Sequence, residues 1–142
     1  PSESDMHVSG HDDSSSLLPI TSTQTELFRG TDEVRMETVR VARLTDILSE
    51  SDVISPAMLK LDVQGYELEV LQGCEELLGA FDYVCAEGSF IELYEGQALA
   101  GQLIAWLSDH QFDLVCVYGT TSDRGGRAVQ ADMLFRRSRS AT

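Results

Sequence analysis

The stretch LKLDVQGYELEVLQG, residues 59–73, decides the fold class of this chain. It opens with a short apolar run of strand length that ends in Asp62, and Gly65 then provides a turn. The residues after the turn, about 66–78, carry the apolar spacing of a helix. A strand followed at once by a turn and a helix is typical of α/β proteins, in which helices pack on the faces of a sheet.

The alternation of strands and helices continues on both sides of this stretch. Further strands are predicted at residues 34–44, 83–87, 112–119 and 128–136, and further helices at about 46–49 and 98–110. This order predicts a parallel sheet with helices on both faces. Because a short glycine-containing loop joins the last two strands, they should form a terminal antiparallel pair.

The polar N-terminal part of the chain shows no such periodicity. Residues 1–16 are rich in Ser, Asp and His, and residues 17–32 remain irregular. We therefore expect residues 1–32 to be a loop or a partly disordered leader. The α/β domain is expected to span residues 33–137, and residues 138–142 to form a short tail.

Length and charge narrow the function classes. The chain has 142 residues, of which 42% are hydrophobic, and this suffices for one domain with a core. Asp and Glu number 24 against 10 Lys and Arg, and the net charge of −14 disfavours nucleic acid and anionic membranes as partners. No apolar run approaches the roughly 20 residues of a membrane-spanning helix. We expect a cytoplasmic protein that binds a small molecule.

The residues that commonly bind transition metals are scattered along the chain. The cysteines are widely spaced in apolar contexts, and the histidines lie in the polar leader or at the end of a predicted helix. Neither set has the spacing of a zinc site, so metal binding through nitrogen or sulfur is not expected and no metal ligands are assigned. These residues are Cys74, Cys85, Cys116, His7, His11 and His110. Carboxylates that lie close together could also hold a hard cation such as magnesium, but their spacing is not specific for a metal.

Three acids are predicted to gather at one edge of the sheet. Asp62 and Glu87 close neighbouring strands, and Glu67 lies in the first helical turn, on the buried side. This edge is the crevice where open α/β sheets bind ligands. Crowded carboxylates raise one another's pKa, which suits a general base or a group that holds a substrate hydroxyl or amine.

Each of these acids also has a structural alternative. Glu67 can stabilise the helix through its dipole, and an acid at the end of a strand can close the next turn. Lys60 shares a strand face with Asp62 and is expected to form an internal ion pair with one of the carboxylates. The convergence of three acids favours a site over these alternatives.

Four stretches of the chain are familiar when they are taken together: LKLDVQGYELEVLQG, VRVARLTDIL before it, and AEGSFIELYEGQ and QADMLFRR after it. Over most of residues 34–137 they resemble the C-terminal half of FkbM-type methyltransferases, and SSLL at 15–18 is also similar to that family. The resemblance implies a Rossmann-like class I fold. It also implies transfer of a methyl group from S-adenosylmethionine to a hydroxyl of a sugar or another small metabolite.

The resemblance assigns roles to individual residues. Asp62, Gly65 and Glu67 fall on the family's Asp-Val-Glu-Gly-x-Glu signature, and Glu87 falls on the acid that ends the next strand. Asp62, Glu67 and Glu87 are accordingly expected to be catalytic. Asp62 and Gly65 are expected to contact the methyl donor. Gln64 departs from the signature, where Glu is frequent, so a role that needs charge at this position is not expected.

The glycine-rich loop with which the family holds its methyl donor has no counterpart before residue 59. In the family's sheet order, 3-2-1-4-5-7-6, the strands at 34–42 and 58–63 would be the third and the fourth, each beside a strand outside this chain. We therefore expect the C-terminal half of a domain. An upstream segment or a partner chain is expected to cover its free sheet edges.

One other function class remains open. Because the donor loop is missing, the chain could be a non-catalytic α/β interaction module that docks on another protein. A phospho-acceptor receiver domain is a weaker alternative, suggested by the strand LKLDV with Asp62 at its tip. It is disfavoured because the chain lacks an acid pair after an early strand and a Lys after the last one.

Overall fold

The computed structural model describes residues 1–138, so the predicted tail lies, apart from Ser138, outside the described residues. The strands β1 to β6 span Ser2–Ser9, Glu33–Val41, Met58–Leu61, Tyr83–Ser89, Phe112–Ser122 and Ala128–Arg137. The helices α1 to α4 span Ser22–Leu27, Glu67–Gly73, Glu75–Leu78 and Ala100–Asp109. Short 3₁₀ turns are found at Asp12–Ser14, Leu44–Asp46 and Glu50–Asp52.

The main sheet has four strands in the order β3-β4-β6-β5. β3 and β4 are parallel, while β6 is antiparallel to both of its neighbours, β4 and β5. β3, β4 and β5 consequently run in one direction, and β6 is inserted between β4 and β5 in the opposite direction. The predicted antiparallel pairing of the last two strands is confirmed, and the sheet as a whole is mixed.

The N-terminal part of the chain is more regular than its composition predicts. β1 pairs with β2 in a separate two-stranded antiparallel sheet, from Ser2 opposite Val41 to Ser9 opposite Glu33. The expectation of an irregular leader is therefore wrong for β1, and also for α1. The strand was hidden because β1 buries only its last residues, Val8 and Ser9, so it lacks a continuous apolar face.

β2 forms where a strand is predicted, but it does not join the main sheet. The expectation that it is the third strand of that sheet is wrong. No residue of β2 is buried. A strand inside a sheet that is covered on both faces needs a nearly continuous apolar run, and the charged residues of β2 do not provide one.

The predicted helix at 66–78 is present in two pieces. Cys74, with a φ of −127°, separates α2 from α3. The short helix predicted at 46–49 is replaced by a 3₁₀ turn at Leu44–Asp46. The apolar spacing of α2 and α3 is nevertheless the predicted one, because Leu71 and Leu78 both reach the core.

The core lies between the main sheet and α2, α3 and α4. Apolar side chains of the helices pack against those of the four strands, and the buried set consists of Leu61, Leu71, Leu78, Val84, Ala86, Ala100, Leu103, Leu107, Phe112, Met133 and Phe135. None of the helices within residues 1–138 is both long enough and apolar enough to cross a bilayer.

The region around α1 packs against the loop after β4 through a smaller apolar cluster. Leu93 and Tyr94 of that loop are buried with Val129 of β6, and Ile20 and Phe28 pack against them. Two backbone hydrogen bonds also connect these segments. The N–H of Thr21 donates to the carbonyl of Leu93 at 3.1 Å, and the N–H of Glu95 donates to the carbonyl of Pro19 at 2.9 Å. The contacts place α1 beside the carboxyl ends of β3 and β4.

Candidate active site

Asp62 and Glu87 meet at the carboxyl edge of the main sheet. β3 and β4 are in register with Leu61 opposite Ala86, and each acid is the next residue along the chain. Both acids line one cleft of about 280 Å³, which we name the edge cleft. Its other lining residues are Asp13, Ser14, Gln24, Phe28, Gln64 and Gln130. The structure thus brings two of the three predicted acids into one cleft.

Glu87 is held by β6 and is surrounded by negative charge. Gln130 Nε2 donates a hydrogen bond to Glu87 Oε1 at 2.9 Å. Burial is the main cause that raises the pKa of Glu87 from its ordinary 4.5 to about 7. The negative charges of Asp62, Glu67 and Asp132 act in the same direction. A carboxyl group with this pKa can take up and release a proton near neutral pH.

Asp62 makes two contacts and remains about half exposed. Lys60 Nζ lies 3.3 Å from Asp62 Oδ2, and Gln64 Nε2 donates a hydrogen bond to Asp62 Oδ1 at 2.8 Å. The expected pairing of Lys60 with a carboxylate is confirmed, but the pair is not internal, because its side chains are 56% and 54% exposed. Such a surface pair contributes little to stability, and it leaves Asp62 accessible to a ligand.

Gln64 connects Asp62 to Tyr94 through its amide. The hydroxyl of Tyr94 lies 2.8 Å from Gln64 Oε1 and 3.0 Å from the carbonyl of Ser14. The amide therefore donates to a carboxylate at one end and faces a hydroxyl donor at the other. An ionised Glu could only accept hydrogen bonds, and it would place a second negative charge beside Asp62. The Gln at position 64, where the signature often has Glu, therefore joins Asp62 to Tyr94 through an uncharged side chain.

Glu67 lies beneath the turn between β3 and α2. Its side chain is buried, and its Oε1 accepts hydrogen bonds from the N–H groups of Val63 at 3.2 Å and Gly65 at 3.4 Å. Burial raises the pKa of Glu67 above its ordinary value. Glu67 is not among the residues that line the edge cleft. Its predicted catalytic role stays a prediction, and its observed contacts hold the turn closed.

Comparison with known proteins identifies the family. The family model of the methyltransferase FkbM domain matches residues 2–114, which is most of the chain. The chain belongs to the FkbM methyltransferase family. A curated relative, the 2-O-methyltransferase NoeI of Sinorhizobium fredii, is 33% identical over 101 residues, which are 71% of this chain and 38% of the relative. The chain thus spans well under half of that relative's length. No solved structure matches it.

Gly65 of the FkbM signature packs tightly against the loop after β4. Its φ is +91°, and a Cβ added to it would lie 3.1 Å from the Cβ atoms of both Tyr94 and Gln97. The loop itself is fixed by Gln97, whose Oε1 accepts hydrogen bonds from the N–H groups of Leu93 at 2.5 Å and Tyr94 at 2.8 Å. Only glycine combines this backbone conformation with this close approach.

A second cleft of about 300 Å³ also borders Asp62 and is mostly apolar. Its remaining lining residues are Met6, Ser15, Ser16, Leu17, Val41, Val63, Tyr66 and Val70. S-adenosylmethionine, the donor implied by the FkbM resemblance, needs a glycine-rich turn, and no glycine lines this cleft. Asp62 borders it and Gly65 does not. The described residues do not form a complete donor site, so we derive no step through the donor.

Within residues 1–138, no group of three or more His, Cys, Asp or Glu side chains is arranged to hold a metal ion. The side chains that contact the carboxylates of Asp62 and Glu87 are amides and Lys60.

The edge cleft also contains residues that the sequence analysis missed. Gln24 and Phe28 come from the region of α1, which is predicted to be irregular, and Gln130 comes from β6. One local signal for α1 exists. Thr21 is followed three residues later by Gln24, and a Thr or Ser followed at that spacing by Gln or Glu is typical of a helix start. In the structure Thr21 Oγ1 accepts a hydrogen bond from the N–H of Gln24 at 3.2 Å.

Replacing Glu67 by Gln is expected to preserve the turn and to stabilise the protein at alkaline pH. The Gln side-chain oxygen can accept the same two hydrogen bonds, and burial of a charge is avoided. Because the pKa of Glu67 is raised in the folded state, its contribution to stability is present at low pH and is lost as pH rises through the folded pKa. Urea unfolding should therefore show little difference at pH 4 and a more stable variant at pH 8.

The Glu67→Ala variant provides the comparison. It leaves the N–H groups of Val63 and Gly65 without their acceptor, and we expect a loss of about 2–3 kcal/mol at pH 4, which becomes smaller at pH 8 because the parent protein then loses the contribution of Glu67. Equal stability of the Ala variant and the parent protein at pH 4 would contradict the role of Glu67 in holding the turn.

Proposed function

We propose that this chain forms the acceptor side of an S-adenosylmethionine-dependent methyltransferase that acts on a hydroxyl of a sugar or another small polar metabolite. The observation that carries this proposal is the shared edge cleft of Asp62 and Glu87, at the carboxyl ends of two adjacent parallel strands. Membership of the FkbM family and similarity to a 2-O-methyltransferase support methyl transfer.

Glu87 is the proposed general base. A base works best when its pKa is close to the pH at which the enzyme operates, and the pKa of about 7 meets this condition. Gln130 holds one carboxylate oxygen of Glu87, and Glu87 lines the edge cleft in which the acceptor is proposed to bind. In this role Glu87 removes the proton of the reacting hydroxyl. Asp62 accepts a hydrogen bond from the acceptor and positions it.

Glu67 is the proposed positioning residue. It closes the turn that carries Asp62 and Gln64 toward the edge cleft, and its two backbone hydrogen bonds account for one of its oxygens. The Glu67→Gln variant separates this role from a catalytic one, because it retains the hydrogen bonds and loses the basic group. Full turnover by that variant supports positioning, and loss of turnover in a folded variant supports catalysis.

The composition of the edge cleft favours a neutral or cationic acceptor. Asp13, Asp62 and Glu87 are carboxylates, and they repel phosphate or carboxylate groups of a ligand. The amide side chains of the cleft provide hydrogen bonds, and Phe28 provides an aromatic surface. A volume of about 280 Å³ lies just below the range of about 300–1,000 Å³ for ligand pockets, so only a small ligand fits. A single sugar unit is a ligand of this kind.

The proposal includes a Rossmann-like fold for the complete enzyme. The observed order β3-β4-β6-β5, with one reversed strand, is compatible with the 4-5-7-6 part of the family's sheet. β3 is an edge strand of the described sheet, and Met58 on it is 55% exposed. We propose that a segment outside residues 1–142, or a partner chain, covers this edge and supplies the glycine-rich donor loop.

The direct test is methyl transfer by the intact protein. S-adenosylmethionine with a labelled methyl group is incubated with neutral, amino and acidic sugars, and label is counted in each product. We expect transfer to neutral or amino sugars. The Asp62→Asn variant should lower kcat/KM by about 10- to 100-fold, because a charged hydrogen-bond acceptor is lost. The exposed residue Asp109 provides the control, and Asp109→Asn should leave kcat/KM unchanged.

Donor binding distinguishes an enzyme from an interaction module. Calorimetric titration of S-adenosylmethionine into the intact protein should show a single site. Failure to bind the donor when the segment or partner chain that carries the glycine-rich loop is present would contradict the proposed function and favour the non-catalytic module.

A further inference from the structure

Gln24 of α1 is a buried amide without a partner. Its side chain is 4% exposed, it lines the edge cleft, and its Oε1 makes no hydrogen bond with any residue that the structure describes. Buried polar groups in native proteins are nearly always paired, and an exception calls for an explanation. Gln97 shows the usual situation, since it is also buried and its Oε1 accepts hydrogen bonds from two backbone N–H groups.

The position of Gln24 is fixed by its surroundings. Its own N–H is bound by Thr21 Oγ1 at 3.2 Å, and the hydroxyl of Thr21 donates to the carbonyl of Leu93 at 2.7 Å. Phe28, at the other end of α1, packs into the cluster around Leu93 and Tyr94. The helix therefore holds the amide against the cleft. The terminal torsion of a Gln side chain is soft, so a small rotation turns Oε1 toward a ligand in the cleft.

We propose that Gln24 is a specificity residue that accepts a hydrogen bond from a further hydroxyl or amine group of the acceptor, beside the groups bound by Asp62 and Glu87. All three side chains line the same small cleft, so one sugar-sized molecule can reach them together. The ligand class is a polyhydroxylated or amino-substituted ring. This inference rests on the proposed function, because it treats the edge cleft as the acceptor site.

Recognition of the acceptor by Gln24 explains why its amide is buried without a hydrogen-bond partner in the free protein. A site built to bind a particular hydroxyl discriminates strongly against an analogue without it, because the buried polar group is then left unpaired. In the free protein Gln24 Oε1 is in that unpaired state. Binding of the correct acceptor completes its hydrogen bonding.

The test combines removal of the amide with removal of single hydroxyls from the ligand. Gln24→Met keeps the length of the side chain and removes the hydrogen bond. Dissociation constants are measured on the intact protein by ligand-observed NMR for D-glucose and each of its monodeoxy analogues. For the parent protein, loss of one particular hydroxyl should weaken binding about tenfold. In Gln24→Met, D-glucose itself should bind about tenfold more weakly, and loss of that hydroxyl should have no further effect.

Two controls separate recognition from stability. Glu26→Gln, an exposed change on the same helix, should leave every dissociation constant unchanged. Gln24→Met should leave the thermal midpoint unchanged or raise it, because no satisfied hydrogen bond is lost. Gln97→Met should lower the midpoint, because it removes the acceptor of two buried N–H groups.

Each outcome decides the inference. If Gln24→Met retains the parent protein's discrimination among the analogues, or if the parent protein binds none of the sugars, the specificity role of Gln24 is refuted. A labelled methyl-transfer assay on the same sugars keeps the two proposals distinct. Transfer that is unaffected by Gln24→Met overturns this inference alone. Coupled binding without any transfer overturns the proposed function and leaves the binding role of Gln24 supported.

Discussion

The Glu87→Gln variant of the intact protein should transfer methyl groups about 100- to 10,000-fold more slowly than the parent, which is the usual contribution of a general base. The amide cannot take the proton of the reacting hydroxyl. It can still accept the hydrogen bond that Gln130 donates at 2.9 Å, so the shape of the edge cleft should persist. The measurement is kcat at saturating acceptor and donor.

The pH profile provides a second signature of Glu87. Because its pKa is about 7 and the base is the deprotonated form, kcat of the parent should fall about tenfold per pH unit below this value and level off above it. The Gln variant should lack this acidic limb. The stability of the fold depends on pH in the opposite direction to kcat. The contribution of Glu87 to stability is fully present below pH 4.5 and is lost as the pH rises through about 7.

Glu76 supplies the matched control for Glu87. It is exposed on α3, and Glu76→Gln should leave kcat and its pH profile unchanged. A Glu87→Gln variant that retains more than about a tenth of the parent rate would contradict the assignment of Glu87 as the base.

Gly65→Val is expected to destabilise the protein by about 2–5 kcal/mol, the sum of a conformational and a packing contribution. A β-branched residue at a φ of +91° is strongly disfavoured, and at least about 1–2 kcal/mol is attributable to that conformation. Its side chain would also enter space that the Cβ atoms of Tyr94 and Gln97 occupy at 3.1 Å, and overpacking of this kind costs about 1–3 kcal/mol. Urea unfolding of the intact protein measures the loss.

The same substitution at Gly101 isolates the effect of position. Gly101 lies in α4, and an added Cβ has no heavy atom within 4 Å. Gly101→Val should change the free energy of unfolding by less than about 0.5 kcal/mol, because Val has a somewhat better helix propensity than Gly. Equal effects of the two substitutions would refute the argument from close approach at Gly65.

Periodicity predicted the central strands and helices because their apolar faces are buried in one core. β3, β4, α4, β5 and β6 all form where the apolar pattern places them, within a few residues. β1 and α1 were missed because their stability comes from pairing and docking. β1 needs the backbone of β2, and α1 is held by Leu93 and its neighbours. Contacts between distant segments leave little trace in a local pattern.

The site was predictable to the extent that strand ends determine it. Asp62 and Glu87 could be placed together because parallel neighbouring strands end at one edge. The amide side chains of the edge cleft could not be assigned to the site from the sequence. Gln130 reaches Glu87 only because β6 is inserted beside β4, a neighbour that the family's sheet order implies but that the apolar pattern alone does not specify. Gln24 depends in the same way on the docking of α1.

The insertion of β6 has a consequence for synthesis on the ribosome. β4 and β5 leave the exit tunnel before β6, yet neither is bonded to the other, because residues 128–137 must fill the gap between them. The nascent sheet consequently stays open until β6 emerges. A chain that is released early, before residue 128, would lack an interior strand as well as Gln130, so incomplete translation products cannot assemble the pocket around Glu87.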